Sequence, residues 1–388
     1  MTLTQKEYIG FNVITSLGSI LEDFSADKIF LVRGKASYSK CGAKKYLEQF
    51  LTDCRVVSFF EFDQNPKVED LNRGIKAYRG ADSDIVVAVG GGSVIDMAKM
   101  INFFGCNQLE PERYFAQENS DVKPVKPLIA IPTTSGSGAE ATRSAVLYIN
   151  HKKHSVSHDY ILPAAAIVDP GLTLSLPGKL TAVSGMDALS QAIESYWSIH
   201  SNQESKRFCR EAISLIMGNL VTAVKCPNDD ARLGMSRAAH LAGKAINITK
   251  TTAAHAVSYP LTSFFGVPHG HAVGLILPSL LSYNYEVTVG DVSDSRGVDY
   301  VKETIREIAA LLELNSVESA KQMLDNIMCE IGLETKLSSL GIKSKSDIEL
   351  IIENGFTPDR VSNNPRRLTE DSLRKILYGI ATPRGVQK

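Results

Sequence analysis

The 388-residue chain has almost no net charge, with 42 Lys and Arg against 43 Asp and Glu. That balance leaves no basic footprint for nucleic acid and no polybasic patch for a membrane surface, so neither partner is expected. Long apolar runs are also missing, and none approaches the roughly 18–20 residues that span a bilayer. The first twenty residues hold no basic stretch leading into a continuous apolar core, so no signal peptide is read. The six cysteines (Cys41, Cys54, Cys106, Cys209, Cys226, Cys329) are scattered and contain no CxxC pair. They do not form a disulfide framework, and a reducing, cytoplasmic setting is expected. Fifteen Pro and 28 Gly are too few for a collagen-like or low-complexity chain. What remains is 44% hydrophobic and 22% charged, the profile of a globule too apolar for disorder. At roughly 150 residues per domain, the length predicts two or three domains.

The first half alternates strand and helix signals. Lys28–Val32, Arg55–Phe62, Asp84–Val89, Pro127–Pro132 and Ala164–Asp169 read as strands. Val68–Tyr78 and Val94–Phe104 read as helices between them. The Asp84 and Pro127 runs are near-continuously apolar, as in strands buried on both faces of a parallel sheet. The alternation predicts a doubly wound α/β fold. After about residue 178 the texture changes, and Leu180–Ser198, Glu204–Val224, Asp230–Ala245 and Tyr300–Leu312 carry helical periodicity. Prolines and glycines punctuate Pro170–Lys179. The expectation is therefore an α/β domain over residues 1–178 and a helical domain over residues 179–388. No chemical motif is read after about residue 300. Arg360, Arg366 and Arg367 fall in a polar stretch read as solvated.

Four stretches carry chemistry. VAVGGGSVIDMAK (Val87–Lys99) is strand, glycine turn, helix. Glycines let backbone approach an anion, and a helix start offers free N–H groups to a pyrophosphate. The same turn could be a plain connection with Ser93 as N-cap. PTTSGSGAEATRS (Pro132–Ser144) places hydroxyls between glycines after the next strand. Two such loops at neighbouring strand ends favour a nucleotide over empty turns. In SGMDALSQAIESYWS (Ser184–Ser198), Asp187 and Gln191 share a helix face, with Glu194 a turn further on. An acid near a helix start is also simply dipole-stabilising. TTAAHAVSYPLTSFFGVPHGHAVGLILP (Thr251–Pro278) holds His255, His269 and His271. One histidine on an apolar face is commonly a core residue, but two together with an upstream Asp suit Zn or Fe.

Taken in order, these stretches resemble the iron-containing, group III alcohol dehydrogenases. The likeness runs from about Ile29 to Pro278, through GGGSVID at 90–96, PTTSGSGAE at 132–140, GMDALSQAIE at 185–194 and HAVSYPLT…PHG at 255–270. The resemblance implies a nucleotide-binding α/β domain, a helical domain, and a metal and substrate cleft between them. It implies a dinucleotide on Gly90, Gly91, Gly92, Ser93, Asp96, Thr133, Thr134 and Ser137. It places the family's metal ligands on Asp187, His255 and His269, with Gln191 where the family has histidine. An amide oxygen is a neutral, weaker ligand than imidazole for Fe2+ or Zn2+. Tyr259 stands where the family has a second histidine credited with proton relay.

The segment after the first strand, LVRGKAS, lacks the Asp that holds a ribose 2′-hydroxyl in many family members. Gly34 stands there between Arg33 and Lys35, so NADPH is expected to be accepted as well as NADH. Asn247, Lys250 and Arg143 bring polar and cationic groups that suit an anionic substrate. The combination NITKTTAAHAVSYPLT with PHGHAV is similar to the subgroup that reduces phosphonoacetaldehyde to 2-hydroxyethylphosphonate. The expectation is thus a metal-dependent NAD(P)H aldehyde reductase, self-associating as a homodimer, with Tyr259 and Lys250 in catalytic roles. The alternatives are a lyase or cyclase like dehydroquinate synthase, which shares this architecture, and a non-catalytic nucleotide-binding relative.

Overall fold

A computed structural model describes residues 5–63, 66–116, 122–149, 152–356 and 361–381. The chain divides into two compact units, Met1–Leu176 and Pro177–Lys388.

The first unit is built on six parallel strands: β1 (Lys6–Ile9), β2 (Lys28–Arg33), β3 (Arg55–Phe59), β4 (Ile85–Gly90), β5 (Leu128–Pro132) and β8 (Ala165–Val168). Their spatial order is β1-β8-β5-β4-β2-β3. Alternate residues feed two separate cores, because successive side chains leave a strand on opposite faces. Phe30, Val32, Val86, Ala88 and Ala130 pack with α4 (Val68–Ala81) and α5 (Gly92–Asn107). Ile29, Leu31, Val87, Ile131 and Ile167 pack on the other face with α1 (Ser16–Asp23) and α3 (Ala43–Leu51). This two-sided burial is why the β4 and β5 sequences are apolar throughout. The expected doubly wound fold is present.

Three strands escaped the sequence reading. β1 is four residues long and largely exposed at the sheet edge, so it carries no apolar signal. β6 (Ser144–Ile149) and β7 (Lys152–Ser157) pair antiparallel as a separate hairpin.

The second unit is helical among its described residues. Its elements are α7 (Gly178–Trp197), α8 (Gln203–Lys225), α9 (Asp229–Thr249), α10 (Ala253–Phe265), α11 (His269–Tyr285), α12 (Val298–Leu311), α13 (Val317–Glu330), α14 (Lys345–Gly355) and a final helix over Glu370–Ala381. One continuous apolar cluster joins them. α7 runs through it, buried from Gly185 to Trp197. Among the described residues, no helix is long and apolar enough to cross a membrane. One expectation is corrected here. Arg366 is not solvated: its guanidinium bonds Asp291 (2.8 Å) and the Tyr283 carbonyl (2.6 Å) and lies over the Tyr283 ring. Arg367 is exposed, and Arg360 lies outside the described residues.

Candidate active site

In the first unit, the two glycine-bearing loops lie at the C-terminal ends of adjacent strands. Gly90 on β4 pairs in register with Pro132 on β5, and the Thr133 N–H donates to the Gly90 carbonyl at 3.0 Å. The loops then touch. A Cβ on Gly92 would lie 2.6 Å from Ser137 Oγ, so only glycine allows this approach. Gly91 occupies the N-cap of α5 without a side-chain cap, so Ser93 is not the N-cap. Thr134 and Ser137 are half-buried and Thr133 is buried. Asp96 has another partner, since its Oδ2 accepts the Val146 N–H at 3.1 Å. Arg33 closes β2 with its guanidinium 3.8 Å from the centre of the Phe60 ring. Lys35 is exposed and ion-paired with Asp63 at 2.9 Å. Arg143 is likewise exposed and paired with Asp159.

In the second unit, three helices converge. α7 supplies Asp187, Gln191 and Glu194 at one-turn intervals. α10 supplies His255, and α11 begins on His269. Gly270 makes the convergence possible, because a Cβ there would sit 2.0 Å from the Val183 carbonyl oxygen and 2.9 Å from the Asp187 Cβ. The PHG sequence therefore lets the start of α11 press against α7 and sets His269 beside Asp187. Donor atoms of Asp187, His255 and His269 all lie within 4.8 Å of one another.

Glu194 organises this cluster from behind. It is fully buried. Its Oε1 accepts from the Thr252 N–H (3.2 Å), the Thr252 hydroxyl (2.7 Å), the Ala254 N–H (2.8 Å) and the His255 N–H (3.3 Å). These are the unsatisfied donors of the α10 start. Its Oε2 meets His255 Nδ1. A carboxylate only accepts, so Nδ1 carries a proton, and in the neutral imidazole Nε2 is then the nitrogen that presents its lone pair. That Nε2 is buried without a hydrogen-bond partner, 3.4 Å from Asp187 Oδ1. Burial pushes the Glu194 carboxyl up, but His255 and the converging donors outweigh it and hold it below the usual range. Burial pushes His255 down, but the Glu194 and Asp187 carboxylates outweigh it and raise it.

The donor set fits a divalent ion. Two ligands on a tetrahedral ion at about 2.1 Å stand about 3.4 Å apart, the spacing of His255 Nε2 and Asp187 Oδ1. A buried imidazole lone pair beside a buried carboxylate is the kind of N/O pair that binds Fe2+ or Zn2+. Gln191 is buried one helical turn from Asp187. The Tyr259 ring stacks on His269 (5.9 Å, 18°), and the Ser258 hydroxyl lies 3.3 Å from His269 Nδ1. His271 is turned to the Glu334 carbonyl at 2.7 Å, and burial lowers its pKa. Asn247 is half-buried on α9 and Lys250 is exposed just after it.

Glu194 was visible in the sequence only as a third residue on the α7 face. Its partners lie about sixty residues away and are mostly backbone amides, which no side-chain pattern reveals.

Similarity to known proteins extends over nearly the whole chain. Residues 4–170 match the family model of iron-containing alcohol dehydrogenase, and residues 181–380 match that of the family's C-terminal domain. A phosphonoacetaldehyde reductase of Streptomyces viridochromogenes is 34% identical over 319 residues, covering 80% of this chain and 78% of the relative. A 1,3-propanediol dehydrogenase of Klebsiella pneumoniae is 30% identical over 95% of both chains. Among solved structures, a sulfoacetaldehyde reductase from Bifidobacterium kashiwanohense in complex with NAD+ superposes with a TM-score of 0.87 at 29% identity, covering 97% of both chains.

Proposed function

Because the chain belongs to the iron-containing alcohol dehydrogenase family and is an NAD-dependent oxidoreductase, we propose that it reduces a short anionic aldehyde, phosphonoacetaldehyde, to 2-hydroxyethylphosphonate. Two relatives are named for acetaldehydes bearing a tetrahedral oxyanion, one phosphono and one sulfo. The observation that carries the reading in this chain is the backbone of Lys250. Its φ of 59° and ψ of 176° lie in a region nearly reserved for glycine. Such a conformation costs about 1–3 kcal/mol and persists where surroundings over-determine it. Here they do. The Ser195 and Thr249 hydroxyls meet at 2.7 Å, Ser198 Oγ donates to the Thr249 carbonyl, and Trp197 Nε1 donates to Thr252 Oγ1. The turn that bears this exposed cation is thereby stapled to α7 and leads directly into the helix of His255.

Asp187, His255 and His269, with Gln191 beside them, would hold a divalent ion, which would supply Lewis-acid polarisation of the substrate oxygen, and a bound nicotinamide would supply the reducing equivalent. Glu194 keeps His255 in the tautomer that presents Nε2. Tyr259 Oη, on the ring stacked against His269, holds the proton that the alcohol takes up. Lys250 and Asn247 receive the substrate's anionic head, since Arg143 is already engaged by Asp159. The turn at Gly90–Ser93 and the loop at Thr133–Ser137 receive the dinucleotide phosphates and ribose. Without an acid at Gly34, and with Arg33 beside it, NADPH is accepted alongside NADH. The chain is proposed to work as a homodimer in a reducing compartment, and the six free cysteines support the compartment alone.

The test follows NADH and NADPH oxidation with phosphonoacetaldehyde, sulfoacetaldehyde, acetaldehyde and propanal, with and without chelator. The phosphonate is expected to exceed acetaldehyde in kcat/KM by about 100-fold, and Lys250→Met to remove 10- to 100-fold of that preference, the worth of a charge-assisted hydrogen bond. Chelation should abolish every rate. Equal kcat/KM for all four aldehydes would leave the family standing and sink the anionic substrate.

A further inference from the structure

One face of α5 is polar in a way that neither the sheet nor the core requires. Gly92, Asp96 and Lys99 follow at intervals of four and three, so they stack along one side of the helix. All three meet the chain that continues from the Thr133–Ser137 loop. Gly92 abuts Ser137. Lys99 is 1% exposed. Its Nζ lies 2.6 Å from the Ala139 carbonyl, 2.6 Å from the Thr142 carbonyl, 3.0 Å from Thr142 Oγ1 and 2.9 Å from the Ser144 carbonyl. Asp96 Oδ2 accepts the Val146 N–H.

The strap from Ser137 to Ser144 has little regular structure of its own. It starts at Gly138 in the left-handed region (φ +59°), makes one 3-10 turn at Ala139–Ala141, and then enters β6. Four neutral oxygens surround one ammonium that has three protons, so the lysine gathers the strap much as a small cation would. Burial is expensive for that charge, and it lowers the Lys99 pKa to about 8. A methionine or leucine would fill the same core space without that penalty.

We propose that Gly92, Asp96 and Lys99 form a positioning seam for the dinucleotide. It fixes the spacing between the Gly90–Ser93 turn and the Thr133–Ser137 loop, through bonds made to the strap rather than to the cofactor. The proposal rests on the assignment of those two loops to the nucleotide. It also gives Asp96 a role different from direct cofactor contact.

The experiment measures Kd for NADH by calorimetry on the metal-loaded protein, with metal Kd and aldehyde KM measured in parallel. Lys99→Met is expected to raise the NADH Kd at least about tenfold, and Asp96→Asn about threefold, because sub-ångström drift of a positioning loop weakens everything it aligns. Metal Kd and aldehyde KM should stay within about twofold, which a general loosening of the fold would not allow. An NADH Kd within twofold of wild type in folded Lys99→Met overturns the seam, and so does a parallel loss of metal and nucleotide affinity. Should Lys99→Met not fold, Thr142→Val removes one of the four oxygens around Nζ, together with the longer bonds of that hydroxyl to the Ala139 and Ser144 carbonyls. A rise of about threefold in its NADH Kd supports the seam, and no change overturns it. Wild type that binds no NADH would instead sink the nucleotide assignment itself.

Discussion

The two units make their sites from opposite materials. The α/β unit offers glycines, hydroxyls and backbone amides at the ends of β4 and β5, and Lys99, the buried cation on α5, is turned toward carbonyl oxygens. The helical unit offers ionisable side chains, two buried carboxylates, the buried His255 and the half-buried His269, brought together from three helices. A backbone-built site depends on what is absent, since an added methyl at Gly92 would collide with Ser137. A side-chain-built site depends on which atoms are present, so one exchange changes its chemistry while the helices stay where they are. Gln191 is such an exchange. It keeps its place on α7 and presents an amide where the family presents an imidazole.

This contrast can be broken most forcefully at Glu194. Glu194→Gln is expected to weaken metal binding by about 10- to 100-fold, because His255 loses the acceptor that fixes its tautomer. NADH affinity should remain within about twofold. Competition with a chromophoric chelator measures the first and calorimetry the second, and equal losses of both would refute the separation. The reverse case is Gly92→Ala. Its Cβ would meet Ser137 Oγ at 2.6 Å, so NADH Kd should rise roughly tenfold while metal Kd is unmoved.

The last prediction concerns pH. The Lys99 pKa is lowered from 10.5 to about 8 by burial, with Asp96 and Glu140 opposing. Between those two values the unfolded chain holds a proton that the folded chain has released. Stability rises with pH wherever the unfolded state binds more protons. The stability of wild type relative to Lys99→Met should therefore be flat below about pH 8 and grow toward pH 10.5. Thermal melts of both proteins across that range test it, and a constant difference would show that the lysine keeps an ordinary pKa.

Much of the fold was legible because it is written in periodicity. The apolar run at Asp84–Val89 became β4 at Ile85–Gly90, and Leu180–Ser198 became α7 at Gly178–Trp197. The hairpin β6–β7 was not legible, since Asn150, His151, Lys152 and Lys153 interrupt its alternation. Residue type and spacing drew attention to Asp187 and the histidines, and the family resemblance singled out Asp187, His255 and His269 as the ligand set. The roles of Glu194 and Lys99 were not legible, because most of their partners are main-chain groups 40 to 61 residues distant. The bond from the Val146 amide to Asp96 was equally illegible, since nothing in the sequence shows that amide.

The backbone at Lys250 also bears on how this protein would respond to engineering. Glycine relaxes a φ of 59° paired with a ψ of 176°, and that relief is worth about 1 kcal/mol or more. A selection that rewards heat tolerance alone would favour glycine at this codon and discard the ammonium with it. With Lys250 receiving an anionic head as proposed, melting temperature and preference for a charged aldehyde would be set against each other at a single position, and improving one by screening would erode the other.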